Sequence, residues 1–243
     1  TYRAAMMRAG QILQGGRHIG YSHRKLEQME LGYRLDESVF MRINTMGVAQ
    51  GISISTISDL NPDLSISSFD FKLKSSLFNF SVSGAVKDGN LAVEYGTPGT
   101  AKKMNIALKE IPHLAGSIMN TAWSSGLKPG QSRKFQIFDP SSMGQRPVVV
   151  SVLDDEEIIF MGEKRKFRKV SVDYMGARQY AWIDRNGEIV REEGMLGISM
   201  EKSTKKEATD GISSSSADLT EMASLPSAIS IPDPAALKVL SVK

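Results

Sequence analysis

The sequence contains no cysteine. Disulfide bonds, thiolate metal sites and cysteine nucleophiles are therefore all excluded. The absence does not fix the cellular compartment, because periplasmic and cytosolic proteins can both lack cysteine.

Long hydrophobic runs are missing as well. No apolar run approaches the roughly 18 residues that a transmembrane helix needs, so the sequence predicts a protein that does not span a membrane. The chain starts at Thr1 without a charged and then apolar leader, and a signal peptide removed before this point would not be part of the sequence.

Neither sign of charge is in large excess. The net charge is +3 and the isoelectric point is about 9.0. Such a mildly basic balance affects solubility more than it indicates a dedicated nucleic-acid reader, and we predict no nucleic-acid partner.

Histidine is scarce, and its three copies do not form the pattern of a site. His18 and His23 lie five positions apart in one predicted strand, and an odd separation places them on opposite faces. His113 is far away in the sequence. The sequence therefore predicts no histidine base and no histidine metal site.

Two short motifs resemble reactive sites but lack their context. Residues 59–63 resemble the start of a calcium loop, yet a proline stands inside the motif and Leu64 replaces its glycine, so a turn is predicted. Ser22 and Lys25 have a serine-lysine nucleophile spacing, but on a predicted strand and without the companion motifs. We predict no catalytic residue, no metal ligand and no cofactor, and leave ligand-binding residues unassigned.

What the sequence does contain is a succession of strand patterns separated by turn residues. In the first half they cover about 4–13, 18–28, 33–46, 49–57, 66–74, 78–86, 91–95 and 102–108. In the second half they cover about 133–138, 147–153, 157–161, 164–174, 179–183, 188–193 and 198–202. The predicted fold is mainly β, a large curved antiparallel sheet or half-barrel meander with one helix packed on it.

Helical patterns are few. Apolar residues at helical spacing predict one helix over residues 112–125, with a proline in its first turn and a glycine after its end. Thr204 and Glu207 have the spacing of a capping box, which predicts a short second helix.

The alternation of apolar residues changes parity at Ser75 and Ser76. Side chains alternate between the two faces of a strand, so the apolar residues on either side share one face only if a turn or bulge separates them. We predict a turn here and a common buried face, with Lys72 and the other intervening polar residues facing water. The residues of this face are Phe69, Phe71, Leu73, Phe78, Phe80 and Val82.

Residues 162–169 form the one dense basic run of the sequence. Such a run can contact phosphates or anionic lipid headgroups. Residues 154–157 are all acidic and lie on the other arm of the same predicted hairpin. We predict that the two runs neutralise each other across the strands.

The aromatic residues leave two alternatives open. A curved sheet with an apolar concave face can be filled as a core, or it can hold an acyl chain in an open groove. The core candidates in the second half are Trp123, Phe135, Phe138, Tyr174, Tyr180 and Trp182.

A change in composition near residue 210 predicts the domain boundary. Residues 1–210 carry the strand patterns and the central helix. Residues 211–243 are rich in Ser, Ala and Pro, which is typical of a linker or an arm toward a further domain. Residues 237–242 resemble the start of another strand.

Four stretches together resemble a known family. They are IGYSHRKLEQMELGYRL, SSFDFKLKSSLFNFSVSGAVKDGNLAV, GLKPGQSRKFQIFDPSSM and YAWIDRNGEIVREEGMLGISMEKSTKKEA. They resemble the β-rich region that precedes the catalytic core in bacterial transglutaminase-like proteins. The plan is also similar to that of lipoprotein-carrier half-barrels, in which an open sheet wraps around a helix.

This resemblance implies a periplasmic or envelope-associated protein with a downstream papain-like domain that uses a cysteine, a histidine and an aspartate. Without cysteine, this chain has no residue to which that catalytic role transfers. The hypothesis that follows is a non-catalytic accessory domain that positions an enzyme or recognises a substrate or partner. The alternative is a carrier of a lipid or another apolar ligand in the concave face.

Overall fold

The computed structural model describes residues 5–97, 99–174, 176–213 and 216–220. Within these ranges one sheet contains 15 strands. The first half contributes β1 (Ala5–Gln14), β2 (Arg17–Met29), β3 (Gly32–Thr45), β4 (Val48–Leu60), β5 (Ile66–Ser75), β6 (Asn79–Lys87), β7 (Asn90–Gly96) and β8 (Lys102–Ala107). The second half contributes β9 (His113–Leu114), β10 (Ser132–Asp139), β11 (Gly144–Phe160), β12 (Glu163–Tyr174), β13 (Ala177–Ile183), β14 (Ile189–Glu193) and β15 (Ile198–Ser203).

The order of the strands shows how the sheet is built. It runs β8-β7-β6-β5-β4-β3-β2-β1-β15-β14-β13-β12-β11-β10-β9. Successive strands pair antiparallel through short turns, while β9 and β10 are parallel. β1 pairs with β2 on one side and with β15 on the other, so it joins the two halves of the chain. The predicted mainly β fold with a large antiparallel sheet is confirmed.

The central helix is shorter than predicted. The α-helix α1 covers Ile118–Ser124 and follows a 3-10 helix at Ala115–Ser117, whereas the prediction was a helix over 112–125. The residues before it form β9, which pairs with β10 and bridges to Ser65 near the start of β5. Pairing with distant strands has overridden the helical spacing of the apolar residues in this segment.

The second helix begins as predicted. α2 (Lys205–Thr209) has Thr204 as its N-cap, and both hydrogen bonds of the capping box with Glu207 are present. Neither of the two described helices has the length and apolar character that crossing a bilayer requires.

The curled sheet brings its two halves into one core. Phe69 of β5 and Phe138 of β10 have ring centroids 5.4 Å apart, within a cluster that also contains Leu114 of β9. A second cluster packs α1 against β10 to β14. A third cluster, around Phe167 and Trp182, is separate from both. Much of the concave face is therefore filled by side chains.

The aromatic core candidates divide into two groups. Phe138 and Trp182 are buried. The partly exposed ones are Trp123, Phe135, Tyr174 and Tyr180.

The hairpin of β5 and β6 has the shared face that the parity change predicts. Phe71 pairs with Val82 across the strands, and Leu73 pairs with Phe80. Phe71 and Val82 are buried. For Phe78 the prediction is wrong, because this residue belongs to the turn and is 50% exposed.

β11 is longer than the sequence predicts. Residues 147–153 and 157–161 were expected to form two strands, but β11 is continuous apart from an irregularity in its pairing with β12 between Val152 and Asp155. A bulge bends a strand without ending it. The charged residues between the two patterns therefore belong to the strand.

The residues after α2 lie against the first three strands. The Ser213 N–H donates to the His18 carbonyl at 2.7 Å, and Asp218 Oδ2 accepts from the Gly47 N–H at 2.6 Å. The boundary at residue 211 stays a prediction. The strand expected at 237–242 lies outside the described residues.

Replacing Phe71 by Asp should unfold the domain, because burying a carboxylate without a partner costs several kcal/mol, a large part of a typical stability of about 5–15 kcal/mol. Phe80→Asp should cost less, since Phe80 is partly exposed. Lys72→Asp alters an exposed site and should change stability by about 0.5 kcal/mol or less. Thermal melting distinguishes the three variants, and equal melting temperatures would contradict the facing of the hairpin.

His113 makes the stability pH-dependent. Burial lowers the pKa of His113, outweighing the carbonyl of Asp63 and the charges of Asp63 and Glu110, which raise it. The unfolded state then binds more protons, so stability is full above pH about 6.5 and falls below it by at most about 1.4 kcal/mol per pH unit.

Urea unfolding near neutral pH and near pH 5 measures this effect. We expect His113→Gln to lose part of the pH dependence and the matched control His23→Gln to keep it. The same pH dependence in all three proteins would refute the assignment to His113.

Candidate functional site

A row of charged residues lies on the inner face of β1 to β3. Arg8 of β1 is directly opposite Arg24 of β2, which is directly opposite Glu37 of β3. Both arginines are buried, Arg8 with 5% and Arg24 with 6% of its surface exposed. Side chains two positions apart on a strand point to the same face. Ser22, two positions before Arg24 on β2, is buried as well, so Arg24 lies at an inward-facing position of this strand.

Each arginine is paired with a different glutamate. Arg8 Nη2 lies 3.3 Å from Glu192 Oε2, and Arg8 Nη1 donates to the Ile189 carbonyl at 3.0 Å. Arg24 Nε lies 3.4 Å from Glu37 Oε1. Two adjacent arginines repel each other, so a carboxylate for each of them is what makes their burial tolerable.

The pair of Arg24 and Glu37 also holds the segment before α1. Arg24 Nη2 donates to the carbonyl of Gly116 in the 3-10 helix. A Cβ at Gly116 would lie 3.1 Å from Glu37 Oε2, closer than an ordinary contact. Glycine at this position lets the backbone reach the two charged side chains.

The buried charges are not fully satisfied. Among the described residues, Nε of Arg8 has no hydrogen-bond acceptor, and the 3.4 Å contact of Arg24 Nε with Glu37 Oε1 is an ion pair without hydrogen-bond geometry. A buried polar atom without a partner is uncommon in native proteins and often marks a strained or functional position.

A cleft of about 270 Å³ lies beside these charges, between β1 to β3 on one side and β13 to β15 on the other, with the start of α1 at its wall. Its polar lining includes Arg24, Glu37 and Glu192. The apolar part comes from Ile12, Met41, Ile118, Met119, Ile198 and Met200. The three methionines make this wall adaptable, because methionine is unbranched and polarisable.

Neighbouring contacts hold one of these methionines. Ser22 Oγ donates to Met200 Sδ at 2.6 Å, and Arg8 Nη2 lies 3.6 Å from the same sulfur. Met200 therefore connects the apolar wall with the charged row.

A larger depression of about 510 Å³ lies on β6 to β8. Ala85, Ala92 and Asn105 occupy neighbouring register positions in it, and all three are exposed. It contains no buried charge. We therefore assign the candidate site to the cleft, although it is smaller.

The residues considered from the sequence are not brought together. His18 Nε2 lies 3.1 Å from the Ala208 carbonyl, and His113 lies at the bridge between β9 and Ser65. Ser22 is bonded to Met200, whereas Lys25 is paired with Glu27. In the described part of the chain no three His, Asp or Glu side chains converge in a way that would hold a metal ion.

The turn predicted at residues 59–63 begins at Asn61, because Asp59 and Leu60 belong to β4, and it is closed by an Asp63 side-chain hydrogen bond. Asp63 Oδ1 accepts from the Ser65 N–H at 2.9 Å. Burial alone would raise the pKa of Asp63, but hydrogen bonds from the Ser65 side chain and backbone, together with the charge of His113, hold it below its usual value.

The comparisons with known proteins concern the fold. No family model matches the sequence, and no curated protein matches it significantly. The chain is similar to a crystal structure from Brucella abortus described as a β-barrel-like protein of a domain of unknown function, DUF1849. The TM-score is 0.53, the identity is 13%, and the match covers 82% of this chain and 94% of that one.

A second match is a DUF1089 family protein from Pseudomonas aeruginosa. Its TM-score is 0.45 at 11% identity, over 72% of this chain and 90% of that one. The first match shows a β-barrel-like fold and no more than that. At such low identities, a fold does not specify a function.

Removing one member of the Arg24–Glu37 pair should destabilise the protein. Glu37→Met leaves Arg24 buried without its carboxylate, and we expect a loss of about 2–4 kcal/mol, since breaking buried pairs costs about 3–5 kcal/mol and Glu37 is partly exposed. The double variant Arg24→Met/Glu37→Met should recover most of the loss. Urea unfolding of single and double variants measures the coupling, and additive losses would contradict the pairing.

Proposed function

We propose that this chain is a non-catalytic binding domain that holds a small amphiphilic molecule in the cleft beside Arg24 and Glu37. The observation that supports this most directly is the combination of buried, paired charges with three methionines in one cleft. Sites for small ligands usually combine an apolar wall with a few polar groups that fix orientation.

The charges favour binding over catalysis. A general acid or base needs a group that is available to exchange a proton with a substrate. The carboxylates of Glu37 and Glu192 are instead held by Arg24 and Arg8. Their role is to keep a polar surface in place inside the fold.

The same pairing indicates the charge of the ligand. Glu193, at the rim of the cleft, is also paired, with Arg191 Nη2 at 2.7 Å from its Oε1. A ligand with a net charge would therefore enter without a free counter-charge. A neutral or zwitterionic polar group fits this cleft better than a simple anion or cation.

The size of the cleft limits the ligand. Its volume of about 270 Å³ lies just below the range of about 300–1,000 Å³ that is typical of drug-sized ligands. At about 30 Å³ per molecule of liquid water, this corresponds to roughly nine non-hydrogen atoms. The volume and the filled concave face favour this small-ligand hypothesis over the carrier of a whole lipid.

The biological setting is part of the proposal and rests on the sequence resemblance alone. In that setting the domain belongs to a periplasmic or envelope-associated protein with a transglutaminase-like core downstream, and ligand recognition here accompanies chemistry elsewhere. A longer coding sequence with a cysteine-containing continuation is the observation that tests it.

Calorimetric titration with straight-chain alcohols, carboxylates and amines from butyl to dodecyl tests the cleft. We expect the alcohols to bind best and to gain about 0.8 kcal/mol per CH₂ until the chain fills the cleft. Beyond about octanol the gain should level off, since roughly nine non-hydrogen atoms fill the volume.

The controls distinguish the cleft from the surface. Ile198→Trp enlarges a side chain of the cleft lining on the same face of β15 as Met200 and should abolish binding, whereas Met29→Ala replaces an exposed methionine outside the cleft and should leave binding unchanged. A gain that continues to dodecanol would favour the lipid carrier. Equal binding by Ile198→Trp would refute the assignment of the cleft.

A further inference from the structure

The hairpin of β11 and β12 extends beyond the rest of the sheet. β10 pairs with β11 only as far as Ser151, and β13 pairs with β12 only from Arg168 onward. From Asp155 to Phe160, β11 is paired with β12 alone. At about 3.4 Å per residue this part is about 17 Å long.

The base of this hairpin is fixed to the sheet. Glu156 Oε2 accepts from Trp182 Nε1 at 2.9 Å and lies 2.8 Å from Lys169 Nζ. The Phe160 and Phe167 rings meet edge to face with centroids 5.5 Å apart. A two-stranded ribbon is weak by itself, but these contacts give it a rigid attachment.

The tip of the hairpin exposes apolar side chains. Ile159 is 70% exposed, and Met161, in the turn, is 59% exposed. In most proteins a single exposed apolar residue has no special meaning. Here two of them, Ile159 and Met161, lie at the end of a projecting hairpin. They can contact another molecule or surface there without any change in the core.

The predicted neutralisation between the acidic run 154–157 and the basic run 162–169 is confirmed only at the base of the hairpin. Arg168 pairs with Asp155 and Lys169 with Glu156. At the tip, Lys164 and Lys166 are exposed, and neither has a carboxylate within 4 Å in the part of the chain that the structure describes. Glu157 lies directly opposite Lys166 without an ion pair, so the tip keeps an excess of positive charge.

Apolar and cationic groups alternate across the tip. Ile159 is directly opposite Lys164, and Arg165, on the adjacent strand position, stacks over the Phe160 ring with its Cζ 6.0 Å from the centroid. Apolar side chains flanked by Lys and Arg suit the boundary between headgroups and acyl chains of an anionic bilayer.

We propose that this hairpin tip docks the domain on an anionic lipid surface. Ile159 and Met161 enter the headgroup boundary, and Lys164, Arg165 and Lys166 contact the phosphates. The tip carries three cations against two carboxylates, those of Glu163 and Glu157, and this excess of positive charge favours an anionic membrane over a neutral one. This site is independent of the ligand cleft.

Sedimentation with vesicles of phosphatidylglycerol and phosphatidylcholine in equal parts tests the proposal. The full chain should bind these vesicles, bind them less as salt is raised, and not bind pure phosphatidylcholine. At about 1 kcal/mol per lysine, Lys164→Gln/Lys166→Gln should weaken binding about thirty-fold. Ile159→Asn should weaken it about tenfold or more through lost apolar insertion.

Leu77→Asn is the matched control. Leu77 is also 70% exposed in a hairpin turn, but between β5 and β6 at the opposite end of the strands, so its variant should bind as well as the original chain. Absence of vesicle binding would overturn the proposal, as would equal binding to neutral vesicles or equal losses for Leu77→Asn. Because all these sites are exposed, the variants should melt like the original chain.

Discussion

The burial of two arginines beside each other constrains much of this structure. Arg8 and Arg24 face each other across β1 and β2, and each requires a carboxylate from another strand. Arg8 takes its carboxylate from β14, and Arg24 takes its carboxylate from β3. The Arg8–Glu192 pair therefore connects the two halves of the sheet around β1, whereas the Arg24–Glu37 pair joins neighbouring strands of the first half. Together they leave a polar wall next to the apolar cluster under α1.

This arrangement separates two kinds of surface in one domain. Much of the inner face is a filled core, and paired charges and methionines meet at the cleft. The outer end of the β11–β12 hairpin carries exposed apolar and cationic side chains instead. The proposed ligand cleft lies inside the fold, and the proposed membrane contact lies at the tip of a hairpin extension about 17 Å long. The two sites can therefore bind their partners without disturbing each other.

The sequence predicted what depends on local alternation. The mainly β fold, the turn at Ser75 and Ser76 and the capping box at Thr204 follow from neighbouring residues alone. The helix over 112–125 was predicted too long, because its first residues pair with β10 and Ser65, which lie far away in the sequence. The exposure of Phe78 was missed because a turn residue does not follow the alternation of the strand.

The candidate site was not recognised for a similar reason. Arg24 and Glu37 stand at inward positions of their strands, among Ser22, Leu26, Leu35 and Met41, and this was the available signal. The partner of Arg8 is 184 residues away, and no local pattern reveals that contact. A charged residue at an inward-facing position of a strand is therefore the feature to examine first in such a sheet.

Methyl NMR of methionine-labelled protein titrated with octanol tests the central claim most directly. The account predicts shifts at Met41, Met119 and Met200, which line the cleft, and none at the exposed Met29. Shifts confined to Met29 or other surface methionines, or none at all with octanol in excess, would contradict a ligand site beside Arg24 and Glu37.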